Sequence, residues 1–67
     1  MSAELVVMRV DATCHITVEV GDELRRGQRI TEAPAPAGPL SPVSGTVRSI
    51  QFDPGNHEFV IAIAPAT

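Results

Sequence analysis

The sequence predicts an all-β domain, and three observations carry that expectation. In residues 14–20, Ile16, Val18 and Val20 alternate with His15, Thr17 and Glu19, and in residues 58–64, Phe59, Ile61 and Ile63 alternate with Val60 and Ala62. That period of two is the spacing of a strand with one covered face. Val and Ile dominate the periodic segments, and β-branched side chains fit a pleated surface better than a helix. Turn residues punctuate these segments at Gly21-Asp22, Pro42-Val43-Ser44-Gly45 and Asp53-Pro54-Gly55-Asn56.

Taken in order, residues 5–10, LVVMRV, form an apolar run of strand length, followed by a bend at Asp11-Ala12-Thr13. The strand at 14–20 ends at Gly21-Asp22. Residues 23–28, ELRRGQ, make a short connector anchored by Leu24 and broken by Gly27, with room for at most one helical turn near 24–27. A brief strand at 28–32 points Ile30 inward. Residues 33–39, APAPAGP, hold three prolines in seven positions and read as an exposed, stiffened loop, because prolines cannot donate to a central ladder. Residues 40–52, LSPVSGTVRSIQF, read as strand, tight turn and strand, with Val47, Ile50 and Phe52 as apolar positions. In the closing strand, 58–64, both alternating sets are apolar, so it is covered on both faces or meets a partner on one.

A repeat underlies this order. Gly45, Val47, Ile50, Phe52 and Gly55-Asn56 recur 34 residues earlier as Asp11, Thr13, Ile16, Val18 and Gly21-Asp22. Two interlocked copies of a bent strand–turn–strand unit explain it, since neither copy can bury its apolar face alone.

Composition narrows the function. A chain of 67 residues predicts one domain, spanning 1–67, with a small core and few aromatic side chains, since Phe52 and Phe59 are the only ones besides histidine. The net charge is −3, all five basic residues are Arg, and no basic stripe or adjoining aromatic exists, so nucleic-acid binding is not expected. One cysteine, Cys14, excludes an internal disulfide and makes a reducing, cytoplasmic location the expectation. The opening MSAELVVMRVD reads as neither a signal peptide nor a membrane span.

The only ligand-like set is Cys14, His15 and His57. It lacks the paired spacing of zinc sites, and joining it to Asp11 would require two ends of the barrel to converge. The expected roles are a small core or edge residue for Cys14 and surface positions for both histidines. Cys14 and His15 cannot act as a nucleophile pair, because neighbours on a strand point to opposite faces. Arg25, Arg26 and Arg29 beside Asp22 and Glu23 read as a solvated, mixed-charge turn. The glycines fall singly at turns and form no phosphate cradle. No catalytic residue, metal site or cofactor is expected.

Two phrases resemble a known family. Val18-Glu19-Val20-Gly21-Asp22-Glu23-Leu24-Arg25-Arg26-Gly27-Gln28-Arg29-Ile30 is similar to the "V-x-x-G-D-x-V-x-x-G-Q-x-L" signature of biotinyl and lipoyl carrier domains, and Ser41-Pro42-Val43-Ser44-Gly45-Thr46-Val47 to the "A-P-x-x-G-x-V" that follows their modification hairpin. The implied fold is the barrel-sandwich hybrid, a flattened small β-barrel with pseudo-twofold halves. Carrier domains present a lysine at the hairpin tip. Here that position falls at Pro34 or Ala35, and the chain has no lysine at all, so no ε-amine is available for an amide link to biotin or lipoate. The second phrase resembles more closely the hybrid domain of the C subunit of Rnf-type electron-transport complexes. The resemblance implies a non-catalytic module that mediates protein–protein contact, accessory to a redox complex. The rival expectation is a small ligand- or metal-binding domain using Cys14, His15 and His57. A protein partner is expected, and self-association as a homodimer through the 58–64 strand, unless residues 5–10 cover that strand instead.

Overall fold

A computed structural model describes residues 4–32 and 40–66. Among them there is no helix. Four strands, β1 (Val6–Asp11), β2 (Glu23–Leu24), β3 (Gly45–Asp53) and β4 (Glu58–Pro65), form one antiparallel sheet in the order β1-β4-β3-β2.

The apolar pattern sets the register. Opposed residues in an antiparallel pair share a face. The even-numbered Val6, Met8 and Val10 of β1 therefore lie over Ile63, Ile61 and Phe59 of β4 on the inner face. On β3, Val47 and Ile50 have opposite parity, so a regular strand could not bury both. A bulge between Val47 and Ser49 resolves this, with Arg48 as the extra residue. Val47 then pairs with Ile63 and Ile50 with Ile61, both inside.

The other side of the core is closed by extended segments without a continuous ladder. Ile16 bridges Thr31 and Arg29 bridges Leu40. Backbone bonds Thr17 N–H to Ile30 O (3.0 Å), Glu32 N–H to His15 O (2.9 Å), Gly27 N–H to Ser41 O (2.8 Å) and Ser41 N–H to Gln28 O (2.8 Å) complete the join. Between the two sides lie Val10, Val18, Leu24, Ile30, Val47, Ile61 and Ile63, all buried.

Several expectations need correction. Residues 14–20 alternate as anticipated at Ile16 and Val18, but they form one bridge rather than a ladder, and Val20 is 61% exposed. The cause is the turn that begins there. Asp22 N–H bonds to Glu19 O (3.0 Å), the Asp22 carboxylate accepts Glu19 N–H (2.9 Å), and Gly21 has φ +99°, so the chain rotates Val20 out of the alternation. The segment 28–32 likewise has bridges at Arg29 and Thr31 only, although Ile30 is fully buried. Residues 23–28, expected as a connector with at most one helical turn, hold none and instead supply the short strand β2. Glu23 and Leu24 pair with Thr46 and Gly45, and a tight turn follows in which Gln28 N–H bonds to Arg25 O (2.8 Å).

In the stretch 40–52 the first limb is reduced to the bridge at Leu40, followed by a bend at 42–44. Of the two reasons for a glycine at position 45, a positive φ or a close backbone approach, the structure shows the second. Gly45 opens β3, where an added Cβ would collide with the Ala64 carbonyl oxygen and lie 2.9 Å from both Ala64 C and Pro65 Cα. Phe52 is 50% exposed, because β2 accompanies β3 only at Gly45 and Thr46 and leaves the far end of β3 uncovered on that side among the described residues. The repeat holds at Ile16 and Ile50, which both pack against the core, and departs at Val18 and Phe52, of which only Val18 is buried. β4 is central, with β1 on one side and β3 on the other, so both its hydrogen-bonding edges are used within the chain.

Candidate functional site

Two ends of the molecule gather polar side chains. At the first, β1 and β3 both finish on an aspartate that bends the chain after it. The Asp11 carboxylate accepts the N–H and hydroxyl of Thr13, both at 2.8 Å. Asp53 accepts Asn56 Nδ2 at 2.9 Å and the N–H of Gly55 at 3.0 Å, which builds the β3–β4 turn. Arg9 reaches across β4 to Asp53 at 3.1 Å and to Glu58 at 3.4 Å. Both aspartates are held below the ordinary carboxylate range. For Asp11 the main cause is the Thr13 backbone N–H, followed by its hydroxyl. For Asp53 it is the Asn56 side chain, followed by Arg9. All these groups are in contact with water, so the ion pairs are screened and contribute little.

His57 closes the same turn in the left-handed region, with φ 53°. Its carbonyl accepts Ala12 N–H at 3.0 Å, and its ring meets Phe52 edge-on at 5.8 Å between centroids. His15 lies elsewhere, 3.9 Å from Glu32, with both side chains exposed. Cys14 is a partly buried free thiol packed against the core. The structure thus gives Cys14, His15 and His57 three different surroundings. Among the described residues no group of three or more His, Cys, Asp or Glu side chains could hold a metal ion.

At the second end, the Arg25–Gln28 turn is pinned by Arg25 N–H to Gln28 Oε1 (2.9 Å) and Arg26 N–H to Ser44 Oγ (3.0 Å). A shallow, open depression of about 310 Å³ lies between Arg26, Val43, Ser44, Pro65 and Ala66. Among the described residues, Arg26 is the one charged side chain lining it. Pro34 and Ala35, where a carrier lysine would stand, lie outside the described residues.

Sequence reasoning placed Val60 and Ala62 of the 58–64 strand on the outer face but did not sort residues 5–11 between the two faces. Register places Val7, Arg9 and Asp11 on one face with Val60 and the buried Ala62, and Val7 and the preceding Leu5 are 56% and 50% exposed. The signal was present in the parity of Arg9 and Asp11, which marks the odd positions of β1 as the solvent side.

The family model described as the RnfC barrel sandwich hybrid domain matches residues 4–63. No curated protein and no solved structure matches the chain. The matched span takes in all of β1, β2 and β3 and β4 up to Ile63, and is consistent with a non-catalytic module linked to electron transport. An all-strand frame wrapped on one small core, matched along nearly its whole length, places this chain in the RnfC barrel sandwich hybrid domain family.

Proposed function

We propose that the protein is an unmodified, non-catalytic hybrid module that mediates protein–protein contact in or beside an electron-transport complex in the cytoplasm. The observation that carries this reading is the family match combined with a chain that contains no lysine. A carrier domain works by swinging a group bound through a lysine amide. Without an ε-amine the same frame can still present a rigid surface, and that is the use left to it. The small apolar core is filled by Val, Leu and Ile side chains, and the polar groups at both ends are engaged in turns and exposed ion pairs rather than aimed at a common point.

Two measurements on the protein isolated from its own cells test the proposal: native mass spectrometry of untreated material and, separately, photo-cross-linking before lysis, since the chain has no lysine for amine-directed reagents. The expected result is the bare sequence mass after purification and cross-links to components of a redox complex. A mass raised by one metal ion or one small ligand, and restored to the sequence mass by Cys14→Ala, would overturn it in favour of a binding domain built on Cys14, His15 and His57.

A further inference from the structure

The edge strand β1 is unguarded. Sheet edges are ordinarily protected by proline, lysine, a bulge or extreme shortness. β1 has six residues, Val6–Asp11, with none of these devices. It pairs with β4 along its whole length and is the terminal strand of the sheet. Apart from Cys14 N–H, which bonds to the Asp11 carbonyl at 2.9 Å where the chain bends away, no described residue outside β4 hydrogen-bonds to the β1 backbone. Its one basic side chain, Arg9, is drawn across β4 to Asp53 and Glu58, away from the strand's second edge. Leu5 and Val7 stand half exposed beside it.

We infer that β1 pairs antiparallel with β1 of a second copy, about a twofold axis at Val7, to give one continuous eight-stranded sheet. A twofold perpendicular to the sheet keeps outer faces together, so odd residues must meet odd residues. The charges on β1 and the engaged Asp11 carbonyl together select the register: an axis at Met8 opposes no like charges but sets Asp11, whose carbonyl already accepts Cys14 N–H at 2.9 Å, against Leu5. An axis at Arg9 would oppose two arginines, an axis at Asp11 would oppose two carboxylates, and a parallel arrangement would bring each charge beside its own copy. With the axis at Val7, Val7 meets Val7, Leu5 meets the aliphatic stem of Arg9, and Val6 meets Met8. No like charges are opposed, and the exposed Leu5 and Val7 run on into their copies.

The size of the contact sets its strength. Six residues span about 20 Å, and such an edge buries roughly 600 Å² in total, less than the area of a stable interface. The dimer is therefore reversible, with a dissociation constant on the order of 100 μM. This pairing is independent of any role in a redox complex, so its failure would leave the proposed function standing.

Sedimentation equilibrium from micromolar to about millimolar protein, with amide exchange at both limits, tests the pairing. A monomer–dimer equilibrium is expected, with β1 amides slowing as concentration rises. Val7→Lys puts two ammonium groups on the axis and should weaken the dimer by about tenfold or more. Its far-UV spectrum should remain that of the wild type, since Val7 is exposed. If that variant does not fold, Val7→Thr keeps the β-branch and should weaken the dimer several-fold. A wild type that stays monomeric throughout overturns the inference and leaves the edge to a foreign strand. So does a dimer indifferent to both substitutions, or protection that appears around Phe52 instead of β1.

Discussion

On one side of the core, β1, β4 and β3 exchange backbone hydrogen bonds along their lengths. On the other, residues 14–18, 27–32 and 40–41 meet through two isolated bridges and a few backbone bonds. Burial does not follow this division. Ile61 and Ile63 in the ladder are fully buried, and so is Ile30 outside it. The polar residues most deeply buried, Thr31 and Ser41, also belong to the irregular side. The comparison separates two properties that usually travel together. A ladder sets where backbone groups find partners, whereas apolar side chains set which segments stay down. Ser41 shows how the irregular side manages its polar groups. Its N–H and carbonyl bond to Gln28 and Gly27, and its hydroxyl donates to Val43 O at 2.6 Å.

The largest effect is expected where the ladder admits no slack. Gly45 passes so close to Ala64 and Pro65 that any Cβ must push β3 and β4 apart. The relief cannot come from a side-chain rotation, because the obstructing atoms are backbone. Gly45→Ala is expected to lower stability by about 4 kcal/mol or more. A domain of this length holds only about 3–10 kcal/mol in all, so urea titration should find the variant largely unfolded in water. A loss under about 1 kcal/mol would show that the two strands can separate at little cost.

The next test addresses the irregular side. Ile30 is fully buried in a segment with almost no ladder. If side-chain packing holds that segment, Ile30→Ala should lower stability by about 3 kcal/mol, the usual range for a buried aliphatic truncation. If the segment is only loosely applied to the sheet, it can shift to fill the space. A loss below about 1 kcal/mol in the same titration would then contradict the equal standing of the two sides.

These two residues also show what could be read from the sequence. Ile30 was legible, because an apolar residue after Gly27-Gln28 in a short run points inward whatever its backbone pairs with. The strands at 5–10 and 58–64 were legible for the same reason. Alternation at 14–20 foretold the faces of Ile16 and Val18, but period two reports faces and carries no information about ladders. Gly45 was legible as a turn glycine or a site of close backbone approach, but the approaching residues lie some twenty positions away, and local turn chemistry cannot name them. Phe52 reads as core by type and is left out because its neighbour strand is two residues long. The ligand-like residues were legible as a set of types. Their dispersal to the core, the Glu32 side and the β3–β4 turn follows from topology alone.

The smallest effect has the opposite sign and sharpens the comparison most. Thr31 is almost fully buried, and its hydroxyl finds no hydrogen-bond partner among the described residues. Within a ladder the pleat aims each side chain squarely to one face, and a threonine hydroxyl is easily turned to water or to a neighbouring strand. Thr31 instead sits at a lone bridge with Ile16, where the backbone is committed but little else is. Burying an unpaired hydroxyl is unfavourable by about 1–3 kcal/mol. Valine has nearly the same shape and no polar atom. Thr31→Val is therefore expected to raise stability by about 1 kcal/mol, read as a higher urea midpoint at unchanged slope. A fall of more than about 0.5 kcal/mol would mean that the hydroxyl holds a bond worth keeping. The irregular side would then rest on polar contacts as well as on Ile30.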